Sequence, residues 1–462
     1  MLTRKVVRNG QNEITTWAYD TNGYLKSVTG SIAGATISYT YDAIGRLQTV
    51  TDSEGYTVTY AYDAIDRVTK VTYPDGTVER TLYFRLDPEW KQDRLGRLTH
   101  LFFDADRRLE RVEDPASRVA QYNWCVCGAL DSLVDGEGQK TSFDYDVQGR
   151  LAKKTYADGT FTQLTYDPFR NLLKQRLDAK GQAANYACNL DNSLQQTTYT
   201  DAAGQPLNPP TATVSYAYDP QRPRLTSMTD GTGTTTFGYY PVAAGTLGAG
   251  RLQSVDGPLA GTADKVSYGY DELGRVVSTS VDAAAESVTL DALGRVTAAS
   301  NGLGSFGYSY VNQTSRPSVV TYPNGQTTTY SYWPNVAAAG TGNGDERLQA
   351  IWHKLSGGAT LSKHDYGYNA AGEIVSWTQQ TDVSPAAAYG FGYDGASELL
   401  TATRTDAGSG AVQKQYTYAY DRAGNRTVEQ VDAALAGATY NNLNTARPRR
   451  RLTISSPICL IE

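Results

Sequence analysis

Long aliphatic runs are missing from these 462 residues, so no segment could cross a bilayer as a helix. Cysteine is scarce. Cys125, Cys127, Cys188 and Cys459 are the whole complement, which excludes a scaffold built on disulfides. Basic charge is not in surplus: 42 Lys and Arg stand against 48 Asp and Glu, a net charge of −6. Nothing in that balance neutralises phosphates in bulk, so neither a nucleic acid nor an anionic membrane is expected as partner. Helical signals are nearly absent, and the Ala-rich piece at 282–286 is too short to nucleate a helix. The first twenty residues carry charge but no apolar h-region or small-residue cleavage site, so no secretory signal is visible. No Gly-x-Ser-x-Gly, Walker A or Rossmann pattern occurs in a strand-to-helix setting. An enzyme is therefore not expected, and no cofactor is implied.

Tyrosine is what the chain has, 34 of them against nine Phe and two Met, together with 44 Gly. Tyr favours strands and Gly punctuates turns. One unit recurs, Tyr-Asp-x-x-Gly-Arg-Leu/Val. It is complete at Tyr41-Asp42-Ala-Ile-Gly45-Arg46-Leu47, at Tyr145-Asp146-Val-Gln-Gly149-Arg150-Leu151, and at Tyr270-Asp271-Glu-Leu-Gly274-Arg275-Val276. Degenerate copies surround these. Tyr62-Asp63 runs to Asp66-Arg67-Val68 without the Gly, Asp93 to Leu98 and Asp291 to Val296 lack the Tyr, and Tyr420-Asp421 leads to Gly424-Asn425-Arg426. The spacing is regular: 22 residues from Tyr19 to Tyr41, 21 from Tyr41 to Tyr62, and 21 from Tyr145 to Tyr166. Midway between fall Asp-Gly or Asn-Gly pairs, as in Tyr73-Pro74-Asp75-Gly76, Asp158-Gly159 and Asn324-Gly325, which read as hairpin turns.

The unit therefore reads turn, strand, turn, strand. Thr57 to Tyr62 alternates strictly and sets Val58, Tyr60 and Tyr62 on one face. Two strands of about seven residues plus two short turns fill the period. The motif Gly supplies a positive-φ position, and the Asp caps its own turn. A lone hairpin cannot bury its face, so the units are expected to stack into one continuous antiparallel sheet. Cross-strand Tyr–Tyr and Tyr–Thr pairs are expected to stabilise it, at roughly 0.2–1 kcal/mol each. The array is expected over residues 1–444, with longer hairpin loops at about 201–264 and no separate domain there. Arg8-Asn9-Gly10 reads as mid-repeat, so repeats upstream are expected. The stretch 445–462 resembles neither a repeat nor a folded domain; a disordered tail or a shifted reading frame is expected.

The unit resembles that of the Rhs/YD-repeat family, whose relatives include the C components of insecticidal toxin complexes and the teneurin ectodomains. The resemblance covers roughly residues 5–444. It includes the pieces Trp124-Cys-Val-Cys127-Gly128 and Tyr420-Asp-Arg-Ala-Gly424-Asn425-Arg426. It implies an all-β fold, a spiralling antiparallel sheet forming a hollow β-shell, here expected to be partial or open. In bacterial members that shell encloses a C-terminal toxin, which implies an encapsulated polypeptide as partner and a secreted or cell-surface setting. Self-cleavage is not carried over, because no Asp-Pro-x-Gly core follows Asn425 and no toxin-sized segment follows the array. The alternative implied by the teneurin-like branch is an adhesion module whose Tyr and Trp bind a surface glycan or protein.

Candidate sites are few. The recurring Asp and Arg follow the structural period, so they are expected to serve turns and not a carboxylate centre. No calcium-binding nonapeptide or EF-hand spacing is present. His353 and His364 flank Ser356-Gly357-Gly358 without a third ligand nearby, and with His100 are expected to be surface or turn histidines. Cys125-Val-Cys127 lacks the two-residue gap of thioredoxin-type or zinc motifs, and is expected to be a packed pair on one face of a strand.

Overall fold

The computed structural model describes residues 1–8, 11–282, 284–338 and 341–440. The tail expected at 445–462 lies outside them. The described chain is one sheet of 38 strands, and each strand pairs antiparallel with the next in sequence. It is an up-and-down meander, the topology that short turns between successive strands enforce. Among the described residues β1 (Leu2–Arg8) pairs only with β2 (Gln11–Tyr19), and β38 (Ala434–Gly437) only with β37 (Arg426–Val431), so the sheet is open at both ends.

In the regular stretch strands of six and five residues alternate: β4 (Thr36–Tyr41), β5 (Leu47–Thr51), β6 (Thr57–Tyr62), β7 (Val68–Thr72). These are shorter than the expected seven because each turn takes more chain than a two-residue loop. Both ends of a hairpin use the same turn. Asp42 N–H donates to the Arg46 carbonyl (2.9 Å) and Gly45 N–H to the Asp42 carbonyl (3.0 Å). At the other end Tyr73 N–H donates to Thr77 O (3.0 Å) and Gly76 N–H to Tyr73 O (2.9 Å). Gly76 has φ of 82° while Asp75 is not in the left-handed region. The Asp-Gly pairs are thus the second half of a four-residue turn, not two-residue loops with positive φ at both positions. At the Tyr end the register slips by one residue: Thr40 pairs with Thr49 and Tyr41 with Leu47, leaving Gln48 as a bulge.

The two faces differ. One carries Tyr39, Val50 and Val58 in cross-strand register, and Tyr60 opposite Val71. The other carries threonines whose hydroxyls bond across strands, Thr40 to Thr49 at 2.6 Å and Thr51 to Thr57 at 2.8 Å. In this stretch the period of two puts Tyr and Thr on opposite faces, so Tyr–Val pairs and Thr–Thr hydrogen bonds form; the expected Tyr–Thr pairs occur further along, at Tyr186–Thr197 and Tyr268–Thr279. The described residues form no compact core. Accessible area is 27469 Å², against about 17,000 Å² for a compact monomer of this mass. Among the described residues the buried apolar side chains are five small ones, Ala183, Val320, Ala350, Ala387 and Ala402. Between 201 and 264 the connections lengthen, at 202–213, 240–251 and 257–265.

The sheet also winds. Residues about one wind apart meet edge to edge: Gln313 donates to Ala33 O (2.9 Å), Asn335 to Glu54 O (2.8 Å), Arg97 to Glu373 (2.9 Å) and Arg118 to Glu398 (2.6 Å). The Arg422 N–H continues the row by donating to Glu137 (2.6 Å). The partners are 276 to 285 residues apart, so the seam advances in step with the repeat.

Candidate functional site

The motif residues build one stitched unit. Asp42 Oδ1 accepts the N–H groups of Ile44 (3.1 Å) and Arg46 (2.9 Å), and its Oδ2 accepts Arg46 Nε (2.7 Å). Asp146 and Asp271 repeat this with Arg150 and Arg275, each Nε–Oδ2 distance being 2.7 Å. Gly45, Gly149 and Gly274 hold φ of 90°, 77° and 72°, which only glycine adopts without steric cost. The Arg then reaches forward. Arg46 Nη1 donates to Asp63 O (2.8 Å) while its guanidinium lies 4.8 Å from the Tyr62 ring centroid. The Tyr reaches back: Tyr62 Oη donates to Leu47 O (2.7 Å), Tyr41 to Leu25 O (2.9 Å), Tyr145 to Leu130 O (2.9 Å) and Tyr270 to Leu252 O (2.8 Å). Arg150 lies 4.3 Å from Tyr166, whereas Arg275 has Leu290 in that slot in place of a ring.

The electrostatics follow from these bonds. The Arg46 N–H holds the Asp42 carboxyl below the usual range, and the Arg150 guanidinium does the same for Asp146. Burial raises Asp271, but the N–H and guanidinium of Arg275 outweigh it and the net shift is downward. Burial pushes Tyr41, Tyr62 and Tyr270 up, so their hydroxyls remain donors. Every partner of these groups lies in the same or the adjacent repeat. The arrangement orients backbone and leaves no acid–base pair directed at an open cleft.

Cys125 and Cys127 are disulfide-bonded, with Cα atoms 5.1 Å apart. They do not share a strand face as expected. The strand ends at Trp124, and both cysteines stand in the following turn. The turn is a motif copy in disguise. Trp124 takes the Tyr slot, its Nε1 donating to Leu109 O (2.8 Å), and Cys125 takes the Asp slot, its Sγ accepting the Ala129 N–H (3.3 Å). The spacing Trp-Cys-x-x-Gly-Ala-Leu was the signal that could have shown this.

The histidines are neither in turns nor freely exposed. His353 lies in β31 (Leu348–Lys354) and His364 in β32 (Thr360–Tyr368), both half-buried. Their rings are 6.4 Å apart; His353 Nδ1 bonds Thr328 Oγ1 (2.7 Å), and Trp377 Nε1 donates to His364 Nδ1 (3.2 Å). They belong to an aromatic row in which Trp377 stacks on His364 and Tyr389. Burial, then the neighbouring His353, holds the His364 pKa down. No cluster of three or more metal-ligating side chains occurs among the described residues. His100 stacks on Trp90 with ring centroids 3.7 Å apart, beside Phe102 with Arg111 over it at 3.6 Å.

The strongest electrostatic feature was not read from the sequence. Asp345 accepts Tyr56 Oη (2.9 Å), Arg94 and Arg347 (2.7 Å), while Arg94 also pairs with Asp75 (2.8 Å). The Arg94, Asp75 and Asp345 side chains are 8%, 4% and 8% exposed. Two carboxylates and two guanidiniums thus close a balanced, buried cluster across the seam. Burial and the Asp345 carboxylate push the Tyr56 phenol far upward.

The RHS Repeat family matches residues 19–55, 41–78, 132–160 and 145–183. No curated protein sequence matches the chain. Among solved structures, TcdB2-TccC3 superposes with a TM-score of 0.75 at 15% identity, over 96% of this chain and 28% of that one. TcdB2-TccC3-TEV gives 0.75 at 15% identity, over 94% and 27%. A variant Tc holotoxin pore of Photorhabdus luminescens gives 0.74 at 15%, over 96% and 27%. The chain therefore spans little more than a quarter of those chains, and at this identity the likeness shows the fold.

Proposed function

This chain belongs to the RHS repeat family, and from that premise we propose that it is a non-catalytic wall segment of a secreted bacterial β-shell that encloses a polypeptide cargo such as a toxin. The observation that carries this reading is the seam. A sheet without a core has no reason to hold a curved, enclosing form unless its successive winds are fastened, and here they are fastened by Arg97–Glu373, Arg118–Glu398 and the buried Asp345 cluster. The likeness to Tc toxin structures supports the same reading at the level of fold. The test is proteolysis of a cargo fused after the array, against the same cargo free. Protection of the fused cargo supports enclosure, and digestion at the free rate sinks it.

A second reading, adhesion, has one observation in its favour. Trp90, His100, Phe102 and Arg111 stack across three strands on the face that elsewhere carries threonine. Such a strip suits a sugar ring or an apolar side chain. Glycan-array binding that is lost in Trp90→Ala would favour it, and a blank array would remove it.

A further inference from the structure

We propose that the Cys125–Cys127 turn is a thiol–disulfide exchange site for small soluble thiols. The inference is independent of whether the array encloses a cargo.

The bridge does not staple the fold. It joins residues two apart within one turn, so it restrains the unfolded chain less than any longer loop would. The turn it occupies closes in other repeats without sulfur. Cys125 N–H donates to Ala129 O (2.9 Å) and Gly128 N–H to Cys125 O (3.0 Å), the same bonds at nearly the same lengths as in the Asp42 turn. A structural need for the bridge is therefore absent.

The two sulfurs are not equivalent. Cys127 is exposed next to a fully exposed Val126, whereas Cys125 is half-buried. Beside them opens a recess of about 690 Å³, lined in part by Asp131, Phe143 and Tyr145, with room for a small thiol. Cys125 sits where the repeat holds an anion. In the Asp42 and Asp146 turns that position is a carboxylate held below its usual range by hydrogen bonds from the residue four on, and here the corresponding N–H, from Ala129, points at Sγ. The Arg108 guanidinium reaches toward the same turn at Cys125 O (3.5 Å), as Arg46 does at Asp63 O.

Access and leaving-group stability choose the direction of exchange. A thiolate attacks Cys127 Sγ; the S–S bond breaks, and its electron pair leaves on Cys125 Sγ, where the Ala129 N–H receives the charge. A mixed disulfide remains on Cys127. A second thiolate attacks the outer sulfur of that mixed disulfide, releasing the oxidised thiol dimer and the Cys127 thiolate. Two external thiols are oxidised, the bridge is reduced by two electrons, and the two protons lost by the thiols pass to the cysteines.

The probe is glutathione. The whole chain is equilibrated in reduced and oxidised glutathione mixtures, free thiols are trapped by alkylation, and the tryptic peptide Val119–Lys140, which carries both cysteines, is weighed. Opening of the bridge in millimolar reduced glutathione, with the far-UV spectrum unchanged, is expected. Cys125→Ser, which leaves Cys127, should take up glutathione at least about tenfold faster than Cys127→Ser, which leaves Cys125. The double variant Cys125→Asp/Cys127→Ser restores the motif carboxylate; it should fold as the parent does and take up none on this peptide. A bridge that survives millimolar glutathione overturns the proposal, as do equal or reversed rates in the single variants.

Discussion

At the scale of one residue, the motif Asp has three tasks: it accepts two backbone N–H groups, anchors an arginine and keeps its charge. Asp42, Asp104 and Asp146 all sit below the usual carboxylate range, held there chiefly by hydrogen bonds from the residue four positions on. Their folded pKa values are depressed, so the unfolded chain binds the more protons. The stability they contribute is complete above the ordinary carboxylate pKa of about 4 and is lost as pH falls through the depressed folded values. Glu346 and Glu398 oppose this, since burial raises both. Two groups against a repeated series leave the sign unchanged. The array should keep its β spectrum from pH 7 down to about 4 and lose it below. Far-UV circular dichroism across that range checks this, and a loss of structure already between pH 6 and 5 would contradict it. The Asp and Gly roles were legible in the sequence because both are local. The forward reach of Arg46 to Asp63 O was not, because it depends on the bulge at Gln48.

At the scale of the element, the turn tolerates substitution where its backbone bonds survive. Asp66, Arg107, Ser117, Asn192 and Ser397 all occupy the glycine position with φ between 60° and 72°. Ser117 keeps the turn bond to Asp114 O at 2.9 Å with φ of 60°. Relief of that conformation is worth about 1–2 kcal/mol, and the added freedom of glycine in the unfolded chain costs about 0.4–1 kcal/mol. Ser117→Gly should therefore stabilise the region by roughly 0.5–1 kcal/mol, readable as slower hydrogen exchange in the hairpin on either side. Faster exchange would show that the Ser hydroxyl matters more than the backbone. The alternation Thr57 to Tyr62 made strand and face legible, and its period of two sets Tyr and Thr on opposite faces there, whereas Tyr186 and Tyr268 do stand opposite Thr197 and Thr279 as composition suggested. The Cys125 turn was hidden for a different reason. Trp, Cys and Ala replace Tyr, Asp and Arg together, so only Gly128 and Leu130 keep the motif's identities while its hydrogen bonds persist.

At the scale of the whole molecule, the seam decides whether a ribbon becomes a wall. Its partners are some 280 residues apart, and no local pattern announces them. One trace does lie in the sequence. The motif Arg slot holds Glu in Tyr368-Asn369-Ala-Ala-Gly372-Glu373 and in Tyr393-Asp394-Gly-Ala-Ser397-Glu398. Those two glutamates meet Arg97 and Arg118, which stand in the Arg slots of repeats one wind earlier. A charge reversed within the repeat is what lets two copies of the same turn pack edge to edge without repulsion. Restoring the motif residue should therefore damage the molecule. Glu398→Arg re-creates a local partner for Asp394 but sets two guanidiniums against each other across a 2.6 Å contact. With the side chains 22% and 17% exposed, solvent screens part of this, and a cost of about 2 kcal/mol at the seam is expected. Local opening there should rise roughly thirtyfold, seen as faster hydrogen exchange in the turns around Asp114 and Asp394, with the strands between them unchanged. Glu398→Gln, which removes the charge without reversing it, should fall between. If Glu398→Arg exchanges like the parent, the winds are held by backbone packing, and the charge reversal at the two glutamates has no structural consequence.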